Sequence, residues 1–321
     1  VQWGIGVVVR TGRGERGSCV VTCVRLVVLV GPRPALGTAT CVLVREVPRS
    51  ACRVNWPGVM PCLVQVAAIR RWASAELSCG ASSQPTSPTT SNEQVRPGRT
   101  NGDDYARSIN PTRGASERCV ADLESGRRGW AFASGLAAMS TALETIDSGS
   151  HVVVSDDLYG GTYRLFEKVR RRSSNLDFTF SDMSDPAKVE AAFKPNTRMV
   201  WVETPSNPLL KLIDLEAIAK LARKHKATSV SDNTFASPWI QRPIEFGFDM
   251  VIHSATKYLN GHSDMVGGVI VVGENKELGD QIAFLQNAVG AIAGPFNTFP
   301  AWRGLTPLTR RLERHCGKAW E

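Results

Sequence analysis

The sequence predicts an α/β domain with a mostly parallel sheet and helices on both faces, beginning near residue 96. Short strand-like runs alternate with amphipathic helical stretches, polar or Gly-rich loops follow the runs, and the composition changes near residues 80–104. Such alternation is typical of a parallel sheet covered by helices. We therefore assign residues 1–95 to an atypical N-terminal segment and residues 96–321 to the large domain.

The excess of basic residues is confined to the N-terminal segment. Residues 1–90 contain ten Arg, no Lys and three acidic residues, which accounts for +7 of the formal net charge of +8. The rest of the chain is close to neutral, and the first segment shows no alternation of aromatic and basic residues. We therefore predict no nucleic-acid partner.

The same segment lacks the periodicity of a folded domain. Residues 1–79 show no sustained strand or helix period, and residues 80–104 are rich in Ser, Thr, Pro and Gly, as flexible linkers are. We predict that residues 1–95 are poorly ordered or are not native coding sequence. An Arg-rich transit peptide and an unfamiliar small domain are the alternatives.

Cysteine spacing and hydropathy indicate the compartment. Six of the eight cysteines fall in residues 1–90 at irregular intervals and without a pair of CxxC motifs, which argues against a structural metal site and a secreted disulfide framework. The apolar run at residues 20–31 is interrupted by Arg25 and is shorter than the ~20 residues that a membrane span needs. The prediction is a cytoplasmic protein without a membrane partner.

Within the large domain, helical periodicity is clearest at residues 134–146 and 214–226. Leu136, Met139 and Leu143 share one face of the first stretch, and Asp214 can cap the second. Strand-like runs occupy residues 151–155, 198–202, 227–231, 249–253 and 267–272.

The loops after these runs carry the candidate functional residues. Ligands of open parallel sheets bind beyond the carboxyl ends of the strands, where the loops bring Tyr159, Asn207, Asp232 and Lys257. An amine that can form an imine, an acid for a ring nitrogen and an aromatic face together suit pyridoxal phosphate (PLP). At the start of a predicted helix, Ser134 and Gly135 offer backbone N–H groups to a phosphate.

His253 and His262 are the candidate metal ligands of the large domain. Their spacing fits no common ligand pattern. We therefore predict no catalytic metal.

Five motifs occur in the order and spacing of a known family: "YARSINPTR", "DLYGGTYRLF", "ETPSNP", "DNTFASP" and "SATKYLNGHSD". On these motifs, residues 102–321 resemble the group of fold-type I PLP enzymes that contains cystathionine γ-synthase, cystathionine γ-lyase, cystathionine β-lyase and methionine γ-lyase. The expected fold is the large PLP-binding domain of that group.

The resemblance implies a role for each candidate residue. Lys257 would form the Schiff base with PLP, Asp232 would pair with the pyridinium nitrogen, Tyr159 would stack on the ring, and Asn207 would contact the ring hydroxyl. The phosphate would be held by Ser254, Thr256 and the backbone of Gly135 and Leu136. Tyr105 and Arg107 would reach the phosphate of a neighbouring subunit, so the resemblance implies self-association, usually as a dimer of dimers.

The resemblance also implies the reaction, which is γ-replacement or γ-elimination on a sulfur amino acid or an activated homoserine. Methionine γ-lyases typically carry Cys where Gly161 stands, so "YGGT" favours the γ-synthase and γ-lyase branch, and the motifs do not separate synthase from lyase. Relatives continue into a small C-terminal domain whose Arg binds the substrate carboxylate, and we expect that domain to be largely missing here. The alternative function is a truncated PLP-binding fragment without turnover.

Overall fold

A computed structural model describes residues 86–90 and 105–319 in full, together with the backbone of five short strands in residues 6–100. The chain forms two compact units, Val1–Pro61 and Cys62–Glu321. Most of the predicted N-terminal segment, residues 1–95, lies outside the described residues. Its poor order therefore stays a prediction, as does the boundary at residues 95 and 96.

The first unit contains an antiparallel three-stranded sheet, formed by β1 (Gly6–Gly12), β2 (Val21–Val27) and β3 (Ala39–Leu43). In the second unit, β4 (Gln94–Arg96) and β5 (Arg99–Thr100) form a short antiparallel pair. The main sheet follows them along the chain.

Seven strands make up the main sheet, in the spatial order β6-β12-β11-β10-β9-β7-β8. The five strands from β8 to β11 are parallel to one another, whereas β12 is antiparallel to both of its neighbours. The predicted mostly parallel sheet is thus confirmed. Its strands are β6 (Arg128–Phe132), β7 (His151–Ser155), β8 (Asp177–Ser181), β9 (Thr197–Glu203), β10 (Thr228–Asp232), β11 (Met250–Ser254) and β12 (Gly268–Val272).

The sequence did not indicate two of these strands. β6 begins with Arg and Gly, and β8 alternates Phe with polar residues at the edge of the sheet, so neither forms a strongly apolar run. The other five strands coincide with the predicted runs to within one residue at each end.

Helices cover both faces of the sheet. Asn110, Ser134 and Asp214 cap three of them, each accepting a hydrogen bond from a backbone N–H of the first turn. A π-helical segment (Arg164–Arg170) and a 3₁₀ turn (Pro243–Phe246) interrupt the series. The α-helices are α1 (Pro111–Leu123), α2 (Gly135–Leu143), α3 (Gly160–Tyr163), α4 (Arg171–Ser173), α5 (Pro186–Ala191), α6 (Leu215–Lys224), α7 (Ser237–Ile240), α8 (Lys276–Val289), α9 (Pro295–Leu305) and α10 (Leu308–Ala319).

Apolar clusters lie on the two faces of the sheet, because successive strand residues point to opposite sides. Val152 and Val154 of β7 pack into one cluster with Met139 of α2, whereas Val153 packs into another with Ile218 of α6. With both faces buried, the strand ends and their loops are the part of the sheet left open to a ligand.

Two further features of the described residues concern Cys119 and the length of the helices. Cys119 in α1 is buried and disulfide-bonded, a bond that the irregular cysteine spacing does not predict. No helix in the described part of the chain has the length and apolar character needed to cross a membrane.

Candidate active site

A cavity of about 450 Å³ opens at the carboxyl ends of the parallel strands. Its walls come from the loops that follow β6, β7, β9, β10 and β11, as the strand-end argument predicts. Eight predicted site residues line it: Gly135, Leu136, Tyr159, Asn207, Asp232, Ser254, Thr256 and Lys257.

Lys257 enters the cavity from the loop after β11, which ends at Ser254. The backbone N–H of Lys257 donates to the Ser254 carbonyl at 3.2 Å, and its carbonyl accepts from Gly261 at 2.7 Å. These bonds fix the backbone, while the side chain is exposed to the cavity. An amine placed in this way is accessible to a carbonyl group.

Asp232 ends β10 and is 3% exposed. Its Oδ1 accepts a hydrogen bond of 3.0 Å from the Thr234 N–H, and the Thr234 side chain also bonds to the carboxyl group. Burial raises the pKa of Asp232, because a charge is costly in a dry interior. A cationic N–H at this position would stabilise the ionised form.

The start of α2 forms a concave surface beside Ser254. Ser134 Oγ accepts from the Ala137 N–H at 3.0 Å, whereas the N–H groups of Gly135 and Leu136 belong to the first turn and have no intrahelical acceptor. A Cβ added to Gly135 would lie 2.9 Å from Ser254 Cβ. Glycine at position 135 thus lets α2 begin close to Ser254, and the N–H donors brought there suit a phosphate group.

Thr256 faces the backbone of Gly267 rather than open space. Its Oγ1 accepts from the Gly267 N–H at 3.1 Å and lies 3.4 Å from the Gly267 carbonyl. It still lines the cavity, so its hydroxyl is available to a phosphate only by exchanging a contact to Gly267.

Tyr159 and Asn207 reach the cavity from the loops after β7 and β9. The backbone N–H of Tyr159 donates to Glu203 Oε2 at 2.9 Å, which ties the first loop to the end of β9. A Cβ on Gly161 would lie 2.2 Å from Tyr159 Cε1. Glycine at position 161 therefore permits the observed position of the Tyr159 ring.

Replacing Gly268 by Ala is expected to destabilise the second unit and distort the turn at Ser134. The added Cβ would lie 2.1 Å from the Ser134 carbonyl oxygen and 2.8 Å from Gly135 N, and backbone atoms cannot rotate away. Overpacking of this kind costs about 1–3 kcal/mol of unfolding free energy. Chemical denaturation of the cofactor-free protein measures the loss.

Gly317→Ala is the matched control. Among the described residues no atom lies within 4 Å of a Cβ at this helical position, so equal or slightly higher stability is expected. Equal unfolding midpoints for the two variants would show that the approach of Gly268 to Ser134 is not tight.

Tyr105 and Arg107, the remaining predicted residues, do not line this cavity. Arg107 Nη1 donates to Asn287 Oδ1 at 2.9 Å, and its guanidinium lies 5.4 Å from the centre of the Tyr105 ring. Arg113, buried at the start of α1, holds this segment by donating to the carbonyls of Ala106, Arg107 and Ser108. The segment is thus fixed away from the cavity of its own chain.

A buried polar cluster lies behind the site and was missed from the sequence. Glu124 Oε1 accepts from Asn233 Nδ2 at 2.7 Å and lies 2.5 Å from His253 Nε2, and all three side chains are fully buried. Because Asn233 follows Asp232 and His253 precedes Ser254, the cluster anchors both strand ends. Because Glu124 is more than 100 positions away from Asn233 and His253, no sequence pattern indicates that they meet.

The two candidate metal ligands, His253 and His262, each contact another polar group. His253 is occupied by Glu124, and His262 Nδ1 lies 2.6 Å from the Asn260 carbonyl. No group of three or more His, Cys, Asp or Glu in the described part of the chain could hold a metal ion.

An accessible lysine, a buried aspartate, an aromatic ring and free N–H groups at the start of a helix, all at the ends of parallel strands, are typical of PLP-dependent enzymes with an α/β large domain. The model of one family, Cys/Met metabolism PLP-dependent enzyme, matches residues 66–321. The chain belongs to this family.

Curated relatives and solved structures agree with this assignment. The chain is 57% identical over 242 residues to a cystathionine β-lyase of Coxiella burnetii, covering 75% of this chain and 62% of the relative. It is 48% identical to a probable cystathionine γ-synthase of Herpetosiphon aurantiacus, covering 76% of each. A crystal structure of cystathionine γ-lyase from Lactobacillus plantarum, complexed with L-serine, superposes with a TM-score of 0.70 at 42% identity, covering 74% of this chain and 64% of that one.

The chain therefore spans less than two thirds of the length of two of these relatives.

Proposed function

We propose that this chain carries the PLP-binding part of a transsulfuration enzyme, which catalyses γ-replacement or γ-elimination on a sulfur amino acid or an activated homoserine. The observation that carries the proposal is the convergence of Lys257, Asp232, Tyr159 and Asn207 on one cavity, in a chain of this family. Relatives named β-lyase, γ-synthase and γ-lyase all match, so the sulfur amino acid is better supported than the bond that is cleaved.

The residues of the cavity fit PLP by their chemistry. We assign the covalent attachment to Lys257, a charged hydrogen bond to the ring nitrogen to Asp232, ring stacking to Tyr159 and a hydrogen bond to the ring hydroxyl to Asn207. Donors for the phosphate are Ser254, Thr256 and the N–H groups of Gly135 and Leu136. The close approach of Gly135 to Ser254 supports the phosphate assignment, because it brings the N–H groups of the first turn of α2 next to the Ser254 hydroxyl.

PLP, when bound, supplies an electron sink that stabilises negative charge at the substrate Cα. In its neutral form, the amine of Lys257, which lines the cavity, would then accept the Cα proton and return it further along the substrate. Asp232 keeps the ring nitrogen protonated, and Tyr159 keeps the ring in one plane.

A turnover assay tests the proposed reaction. The purified chain, loaded with PLP, is incubated separately with cystathionine and with O-succinylhomoserine plus cysteine. Release of 2-oxobutyrate, ammonia and cysteine from the first supports γ-elimination, and formation of cystathionine from the second supports γ-replacement. Bound PLP without either product would replace the proposal by the alternative, a PLP-binding fragment.

We further propose that a second copy of the chain completes each site through Tyr105 and Arg107. Tyr105 is 43% exposed, and the exposed side chain of Arg107 lies outside the cavity of its own chain, where a neighbour's phosphate would replace its contact to Asn287. Two variants that each damage a different part of the shared site test this proposal. Arg107→Ala leaves Lys257 in place but removes the neighbour's contact, and Lys257→Ala does the reverse.

Each variant alone is expected to show little lysine-bound PLP absorbance. After mixing and subunit exchange, about a quarter of the wild-type absorbance is expected, because half of the dimers are mixed and each of those has one intact site. Absorbance that does not increase on mixing, in a preparation shown to contain mixed dimers, would contradict the shared site.

The cytoplasmic location stays a prediction.

A further inference from the structure

Two buried carboxyl groups end neighbouring strands in the candidate site. Glu203 is the last residue of β9, Asp232 is the last residue of β10, and the parallel register pairs them directly. Side chains at paired positions of adjacent strands point to the same face, and both residues line the cavity. Glu203 is 5% exposed. The proposed function uses Asp232 and leaves Glu203 without a role.

The carboxyl group of Glu203 connects two loops of the site. Its Oε2 accepts a hydrogen bond of 2.9 Å from the Tyr159 N–H, and the backbone of Asn207 also donates to this carboxyl. The backbone N–H of Glu203 itself donates to Ser155 Oγ at 3.2 Å, at the end of β7. One residue thus joins the loop that carries Tyr159 to the loop that carries Asn207.

Acidic neighbours make the ionised form of Glu203 unfavourable. Burial, and then the charges of Asp232 on β10 and Asp157 after β7, raise the pKa of Glu203 to about 8. Lys257, on the loop after β11, is the cation among the residues lining the cavity, and the proposed function commits its amine to PLP.

Asp232 has the better support for a negative charge. It accepts hydrogen bonds from the backbone and side chain of Thr234, and His253 also favours its ionised form. Each carboxyl accepts two hydrogen bonds, and Asp232 has in addition the favourable charge of His253, so we assign the shared proton to Glu203 near neutral pH.

We propose that Glu203 is a positioning residue of this site: its protonated carboxyl fixes the Tyr159 and Asn207 loops and leaves the negative charge of the pair on Asp232. The inference rests on the proposed function for the roles of these three residues. The loop contacts themselves exist without cofactor, so they can be tested in the cofactor-free protein.

Hydrogen exchange of the cofactor-free protein at about pH 7 separates Glu203→Gln from Glu203→Ala. Gln is neutral and its carbonyl can accept from the Tyr159 N–H, whereas Ala offers no acceptor. The amides of residues 157–163 and 205–209 are expected to exchange about tenfold faster in the Ala variant, as follows from the loss of a buried hydrogen bond. They are expected to stay near wild type in the Gln variant.

PLP affinity is the second readout. Glu203→Ala is expected to weaken PLP binding roughly tenfold, and Glu203→Gln is expected to keep it within about threefold of wild type, since only the loop anchor differs. Glu216→Gln, on the exposed side of α6, is the surface control. Wild-type exchange and affinity in the Ala variant would overturn the anchoring role.

Equal defects in Gln and Ala would overturn the assignment of the proton to Glu203, because they would show that an ionised carboxylate is required. If the wild-type chain binds no PLP, the proposed function fails, and the exchange data still decide whether Glu203 anchors the loops.

A pH series tests the protonation directly. A folded-state pKa of about 8, above the ordinary 4.5, means that the folded protein holds a proton that the unfolded chain has lost between these values. Stability should therefore fall as pH rises from about 4.5 to about 8 and level off above. The unfolding midpoint of Glu203→Gln should fall less over that range than that of wild type, and parallel pH profiles would refute the proton assignment.

Discussion

Replacing Lys257 by Ala is expected to remove the absorbance of lysine-bound PLP near the edge of the visible range and to abolish turnover. Lys257 is the lysine among the residues lining the cavity, so no other lining side chain can form the covalent link. The fold should persist, because the side chain is exposed and its backbone bonds to Ser254 and Gly261 do not depend on it. Absorbance spectra after gel filtration, with unfolding midpoints, measure both effects.

Lys257→Arg provides the matched control for charge. Arg keeps a positive charge in the cavity but forms no imine with PLP, so it should lose the absorbance band as Ala does. It should retain more non-covalent PLP than Ala, because the cation still attracts the phosphate. A band that survives in both variants would show that PLP is attached elsewhere.

Asp232→Asn is expected to lower turnover by about 10²–10³-fold while making the cofactor-free protein more stable at neutral pH. The loss of turnover follows from removing a preorganised charge next to the ring nitrogen. The gain in stability follows from burial: the pKa of Asp232 is raised, so its ionised form is costly in the empty site, and Asn removes that cost. An Asn side chain can still accept from the Thr234 N–H.

A decrease in turnover together with an increase in stability would show that the charge of Asp232 serves the reaction and not the fold. If Asp232 only supported the fold, Asn would lower stability and activity together. Steady-state kinetics and denaturation of the same preparations give the answer. Asp280→Asn, on the exposed side of α8, should change neither quantity by more than experimental error.

Periodicity predicted the interior of the sheet better than its edges. β9 and β11 are buried on both faces and contain apolar runs, whereas β8 at one edge alternates apolar and polar residues and β6 at the other begins with Arg and Gly. The direction of β12 relative to its neighbours was also not predicted. Between β11 and β12 no crossover helix is present, which favours an antiparallel return, and this signal was available in the sequence.

A site residue could be predicted from the sequence where a residue of a chemically distinctive type follows a strand-like run. Lys257, Asp232 and Tyr159 each follow a recognisable run, and the fold brings them together. Glu203 was not identified, although it begins the motif "ETPSNP", because its relation to Asp232 depends on the register of β9 and β10. Glu124 could not be inferred, since a helix end meets His253 only through tertiary packing.

The cavity draws its walls from five strand ends, and its residues are spread from Ser134 to Val266 along the chain. Contacts of such long sequence separation form late, after the loops between them have closed. During folding, the pocket therefore takes shape only when the central strands have docked side by side. PLP would then bind only after the sheet has formed. Its binding would stabilise the folded state rather than direct the folding.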